Sequence, residues 1–183
     1  MGDAFLIMVD ANQSFSLVEA KRRADMLAEF GIHWFEEPMP ADDVGAHREL
    51  SCHSRVPIAV GESMYSLSQF KDYLQQGAAQ VVQADVARVG GITPWLKIAH
   101  LAEAFNVPVC PHFLMELHVS LVCAVPNAPT LEYIPQLDEI TTAPMAIRDG
   151  HALAPETPGL GIAWNWDEIA RRSVPGCAVT IAA

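Results

Sequence analysis

The stretch PIAVGES, residues 57–63, is an apolar run closed by a glycine and an acid, Glu62. Two upstream stretches repeat it. FLIMVD (residues 5–10) ends at Asp10 and HWFE (residues 33–36) ends at Glu36, and the intervals 36−10 and 62−36 are both 26 residues. Each apolar run reads as a short buried strand, and each is followed by a stretch with helix signals. Ser16 with Glu19 forms a capping box for a helix to about Phe30, with Gly31 just past its end. Val44–Cys52 is a short helix candidate, and Ser66 or Ser68 can open another to about Gln76. Pro38 and Pro40 stop the second strand from simply continuing. Strand and helix in regular alternation give parallel strands with right-handed crossovers. In a β/α barrel built this way, the chemistry sits where the strands end.

The rhythm continues downstream. Val81–Gln83 leads to Asp85, a helix is expected from about Thr93 to Phe105, and Val107–Cys110 leads to His112. Met115–Ala124 reads as helical, and Leu131–Tyr133 reads as a sixth strand carrying Glu132. Six successive βα units predict an α/β fold, a partial (β/α)8 barrel in one domain over residues 1–183. At 183 residues the chain is shorter than a complete eightfold barrel, which takes about 250. An open edge is therefore expected at the first strand, covered by a partner chain or by the apolar tail VPGCAVTIAA (residues 174–183). PETPGLGIAW (residues 155–164) is turn-rich and suggests no regular element.

Composition narrows the function classes. The net charge is −11 and no basic stripe is visible, which argues against a nucleic-acid partner. Cys52, Cys110, Cys123 and Cys177 show no CxxC spacing, so neither a zinc site nor a disulfide framework is expected. No leader-like segment and no apolar run of membrane-spanning length is seen, and a cytoplasmic protein with no membrane partner is the expectation.

Asp10, Glu36 and Glu62 at neighbouring strand ends would repel one another strongly. A hard, oxygen-seeking cation such as Mg2+ is the natural way to offset that repulsion. Asp85 one unit before His112 is the pattern of a base and its orienter, the carboxylate holding the imidazole tautomer and raising its basicity. Glu132, if burial keeps it protonated, could donate a hydrogen bond to a developing oxyanion. Glu37 is read as a supporting or structural residue. His33, His47, His53, His100, His118 and His151 are read as structural or exposed, and Gly90–Gly91 as a tight turn before a helix.

These residues, in this order, resemble the mandelate racemase subgroup of the enolase superfamily. The matching stretches are VDANQ (9–13), WFEEP (34–38), VGES (60–63), QADVARVGGIT (83–93), CPHFLMELH (110–118), LEY (131–133) and PGLGI (158–162). The resemblance implies that Asp10, Glu36 and Glu62 bind Mg2+ and that Asp85 and His112 form an Asp–His dyad. It further implies that Glu132 hydrogen-bonds an enediolate and that Asn12 stands near metal and substrate. RVGGITPWLKIA and PHFLMELHVSL look most like acid-sugar dehydratases of the galactarate/talarate type. The expected activity is Mg2+-dependent removal of the proton α to a sugar carboxylate with loss of water, in a homo-oligomer. A racemase or epimerase on the same scaffold is the alternative, and a non-catalytic barrel remnant is a third reading. Members of the subgroup carry a capping domain, two earlier barrel strands and a Lys-x-Lys motif, and the chain reads as starting at the third strand. Lys21, Lys71 and Lys97 lie in helix-like stretches and cannot replace that lysine.

Overall fold

The computed structural model describes residues 5–174. Four short strands, β1 (Met8–Asp10), β2 (Trp34–Glu36), β3 (Ile58–Val60) and β4 (Val81–Val82), form one parallel sheet in chain order. The register pairs Asp10 with Glu36, Glu36 with Ala59, and Val60 with Val82, so the C-terminal strand ends lie side by side. The crossovers are α1 (Leu17–Ala28), α2 (Val44–His53) and α3 (Leu67–Gln76), and α4 (Ile92–Ala104) follows β4. This is an open segment of a β/α barrel.

Local chemistry accounts for these elements. The side chains of Ser16, Asp43 and Ser66 accept hydrogen bonds from Glu19 N, Ala46 N and Gln69 N and so start α1, α2 and α3. At Ser66 the box is reciprocal with Gln69, whereas the Glu19 carboxylate turns instead to Arg22 and Arg23. Ala20 and Ala24 on α1, Leu50 on α2, Phe70 and Leu74 on α3, and Trp95, Ile98 and Ala102 on α4 are buried. They form one core with Phe35, Ile58, Val60 and Val82 of the sheet. Small residues on α1 let that helix lie close to the strands, and the larger side chains of α3 and α4 fill the volume beside them.

Two expectations need correction. The fifth strand is reduced to one parallel bridge, Val82 with Val109, held by Cys110 N–Val82 O and Val82 N–Pro108 O bonds of 2.8 and 3.0 Å. Leu131–Tyr133 is not a strand, since among the described residues no further strand lies beside it to satisfy its backbone. The segment before and after PETPGLGIAW is not featureless. It holds an antiparallel hairpin, β5 (Ile147–Arg148) and β6 (His151–Ala152), and a helix α6 (Trp166–Arg172). Asp149 and Gly150 turn the hairpin with φ of 50° and 77°, the twist that a two-residue Asp-Gly turn provides.

The first strand is open as expected. β1 pairs with β2 alone among the described residues, and Phe5, Leu6 and Ile7 leading into it are exposed. The expected covering tail, residues 174–183, lies outside the described residues apart from Val174. No helix among the described residues is long and apolar enough to cross a membrane.

Candidate active site

Asp10 and Glu36 close strands, Glu62 and Asp85 follow β3 and β4, and His112 follows the Val109 bridge, whereas Glu132 follows no strand. Asp10 and Glu36 are register neighbours on β1 and β2, and Glu62 follows β3 by two residues. Gly61 makes that last step possible, because its φ is +151° and the Gln83 backbone lies against its Cα. The Asp10 carboxylate accepts from Asn12 N at 2.8 Å, and Glu36 Oε2 accepts from the indole of Trp34 at 3.0 Å. Glu62 faces Arg88 Nη1 and His112 Nε2, both at 3.5 Å. The three carboxylates share one rim, each with its own donors. Among the described residues no three or more His, Cys, Asp or Glu side chains are gathered closely enough to hold a metal ion.

The rim penalises negative charge. Burial pushes the Glu36 carboxyl above its usual range; Gln83 and Trp34 oppose this, and the charges of Asp10 and Glu132 add to it. Burial raises Glu62 as well, opposed by His112 and Arg88 and reinforced by Glu36 and Asp10. Three oxygen-bearing acids that repel one another are the donor set a hard divalent cation prefers, so in donor type, though not in their present spacing, the residues fit such an ion.

Asp85 and His112 meet. His112 Nδ1 lies 2.9 Å from Asp85 Oδ2, while Asp85 Oδ1 accepts from Ala87 N at 2.7 Å. Burial works against the charged imidazolium, but the Asp85 bond and the Glu62 and Glu132 charges outweigh it and raise the His112 pKa. Burial likewise acts to raise Asp85, and the His112 bond and the Ala87 and Arg88 amides overcome it, leaving Asp85 below its usual value. The proton on Nδ1 is committed to Asp85, so Nε2 is the atom that faces the rim and Glu62.

Glu132 departs from its expected environment. It is exposed, and its carboxylate accepts a hydrogen bond from Phe113 N. The segment that carries it is not held in the sheet, so the burial on which its expected donor role was conditional is not found. Asn12 lies in the loop after β1 with φ of 44°, its backbone rather than its amide committed to Asp10. A cavity of about 290 Å³ opens between Met8, Trp34, Glu36, Gln83, Cys110 and Glu132. Lys21, Lys71 and Lys97 lie on α1, α3 and α4, and Lys21 is paired with Glu49 at 2.6 Å.

Two supporting residues, Gln13 and Arg88, were not singled out from the sequence. Gln13 donates to Glu37 Oε2 at 3.1 Å and Ser63 Oγ at 2.8 Å and accepts from Ala41 N at 2.9 Å, so one amide ties three rim loops together. Glu37 is fully buried beneath them. Arg88 lies between Glu62 and Asp85, its Nε 3.9 Å from Asp85 Oδ2. His118, read as structural or exposed, is fully buried beside the dyad. The sequence signal for Gln13 and Arg88 was their place inside the VDANQ and QADVARVGG stretches, one and three residues from other site positions.

Acids and a hydrogen-bonded Asp–His pair thus gather at the C-terminal face of the parallel strands of a β/α-barrel segment. Residues 1–168 match the Enolase C-terminal domain-like family, and the chain belongs to it. It is 37% identical over 172 residues to the L-talarate/galactarate dehydratase of Salmonella typhimurium, covering 94% of this chain and 43% of that protein. The crystal structure of L-talarate dehydratase from Polaromonas sp. JS666, complexed with Mg and L-glucarate, superposes with a TM-score of 0.87. Its identity is 40%, over 93% of this chain and 48% of that one. A racemase from Streptomyces coelicolor with bound magnesium superposes with a TM-score of 0.90 at 35% identity, over 94% of this chain and 48% of that one. The chain thus spans less than half the length of these relatives.

Proposed function

We propose that this chain carries the metal- and proton-handling part of a Mg2+-dependent acid-sugar dehydratase. The observation that carries the reading is the 2.9 Å Asp85–His112 pair, whose free Nε2 stands 3.5 Å from Glu62 on the acid rim. The magnesium-bound relatives support Mg2+ as the ion. Asp10, Glu36 and Glu62 are the residues that would hold it, and bound there it would supply fixed positive charge opposite a substrate carboxylate. The substrate class is a hydroxylated sugar carboxylate.

The chain's own residues divide the remaining work. His112 Nε2, with Nδ1–H fixed on Asp85, takes the proton α to the carboxylate and passes that proton to the departing β-hydroxyl. The C–H and C–O bonds break, water leaves, and the enol tautomerises to a 2-keto-3-deoxy acid. Asn12 is assigned to the substrate side of the rim, and Glu132 to the oxyanion once it carries a proton. A positioned base contributes about 10²–10⁴-fold. The 183 residues present one such group, so their turnover by themselves is expected to be weak, and binding is the stronger test.

Titration calorimetry with a panel of hexarates and aldonates should show binding that requires Mg2+ and is lost in Glu62→Gln. Any 2-keto-3-deoxy acid formed should disappear in His112→Asn. Acid-sugar binding indifferent to both Mg2+ and Glu62 overturns the proposal.

A further inference from the structure

We propose that His118 is a positioning residue that locks together the two loops carrying Asp85 and His112, an inference that rests on reading those two residues as the proton-transfer pair. His118 lies in the first turns of α5 (Met115–Val122) and is fully buried. Its Nε2 accepts a hydrogen bond from Val86 N at 3.0 Å, and its Nδ1 donates to Phe113 O at 2.7 Å. Val86 follows Asp85 in the chain, and Phe113 follows His112. One imidazole therefore spans the backbone positions next to both members of the dyad. Buried histidines commonly satisfy themselves on backbone groups; what sets this one apart is that both of its partners adjoin the reacting pair.

The two bonds run in opposite senses, and this fixes the chemistry of the ring. Nδ1 must carry the proton and Nε2 must be bare, so the tether exists only for the neutral Nδ1–H tautomer. Burial favours the neutral ring and outweighs the Phe113 carbonyl that opposes it. The Asp85 side is held twice. Trp95 Nε1 donates to Ala84 O at 2.9 Å, and the Trp95 ring packs beside His118 with centroids 6.0 Å apart. Asp85 thus lies between a carbonyl fixed by Trp95 and an amide fixed by His118, with its Oδ1 occupied by Ala87 N. On the His112 side, Phe113 and Leu114 have φ of 57° and 35°, a region that non-glycine residues avoid. The bond from His118 to Phe113 O holds that turn closed and keeps the His112 ring against Asp85.

The test uses NMR on the 183-residue chain with two readouts, hydrogen exchange at the Val86 amide and the downfield Nδ1 proton that His112 shares with Asp85. His118→Phe fills the volume without donor or acceptor. It should lower Val86 protection about tenfold, the equivalent of one lost hydrogen bond, and broaden the His112 proton beyond detection, while amides in α4 keep their protection. His118→Gln places an acceptor where Nε2 stood and should restore Val86 protection; His118→Asn places a donor where Nδ1 stood and should not. A folded His118→Phe with Val86 and the His112 proton unchanged overturns the proposal. If His118→Phe does not fold, equal Val86 protection in the Gln and Asn variants overturns it. Neither readout uses turnover, so failure of the acid-sugar reading would appear separately, as absent Mg2+-dependent hexarate binding with both NMR signals in place.

Discussion

Substituting Gly61 with alanine tests the claim that the rim depends on close approach of two backbones. A Cβ at Gly61 would lie 2.6 Å from Gln83 N and 2.7 Å from Gln83 C. Both contacts are with backbone, so no side chain can swing away to relieve them. The φ of +151° adds conformational strain for any residue with a Cβ. Strain of this kind costs about 1–3 kcal/mol, and overpacking in a close-packed interior costs about 1–3 kcal/mol more. The expected loss is about 2–6 kcal/mol, against a total stability on the order of 5–15 kcal/mol. Relief requires β3 and β4 to part, which breaks the 2.9 Å bond from Gln83 N to Val60 O and moves Glu62 away from His112 and Arg88. Gly77→Ala is the control. Gly77 has φ of +64° and nothing within 4 Å of an added Cβ, so it reports left-handed strain alone, about 1–2 kcal/mol. Urea unfolding followed by circular dichroism gives both values. A Gly61→Ala loss no greater than that of Gly77→Ala would refute the steric argument and the rigid apposition of β3 and β4 at the site.

Mg2+ should raise the melting temperature of the chain, by about 2.7 kcal/mol of added stability at a hundredfold excess over Kd, and Glu62→Gln should abolish the rise. A full metal response in Glu62→Gln would show that the site assignment is wrong. Gln13→Ala should weaken the same Mg2+ response without removing a candidate ligand, since Gln13 ties Glu37, Ser63 and the Ala41 amide together beneath the rim; an unchanged response would place those loops under other control. Acid should destabilise the fold through its buried histidines. Burial depresses the pKa of His47 and His118 below the ordinary 6.5, so below that value the unfolded chain binds protons that the folded chain resists. Their contribution is complete above about pH 6.5 and is lost as pH falls toward their folded pKa values. His47→Gln should flatten that part of the profile in urea melts taken between pH 7 and 5, and a profile as steep as before would contradict it.

The strand ends were legible because a parallel βα unit repeats its length, and Asp10, Glu36 and Glu62 kept that interval through three units. Asp85 and His112 were legible for the same reason, with chemistry that makes sense only as a pair. The elements that escaped differ in kind. Leu131–Tyr133 has the composition of a strand, but strand formation needs a neighbour, and no sequence pattern of its own shows whether one is there. The hairpin at Asp149–Gly150 had a local signal in that dipeptide and was passed over. His118 escaped because its partners are Val86 N and Phe113 O, and a backbone partner leaves no residue type to recognise. Glu132 was placed on a strand that does not form, so its exposure was not legible from its own stretch.

The electrostatics of the rim bear on the order of events there. Asp10, Glu36, Glu62, Asp85 and Glu132 face the site as acids, and Arg88 and His112 are the positive or titratable groups set among them. Like charges about 6 Å apart cost about 3 kcal/mol at an effective dielectric of 20. A sugar carboxylate approaching this surface would meet several such terms at once, and Arg88 is already engaged by Glu62 and Asp85. The site therefore repels the substrate class proposed for it until its own negative charge is offset. The same acids that make a cation favourable make its prior arrival a condition for the anion. Lowering pH is no substitute, because protonating Glu36 and Glu62 removes the repulsion and the cation-binding capacity together, and it also fills the Nε2 lone pair that His112 needs to accept a proton.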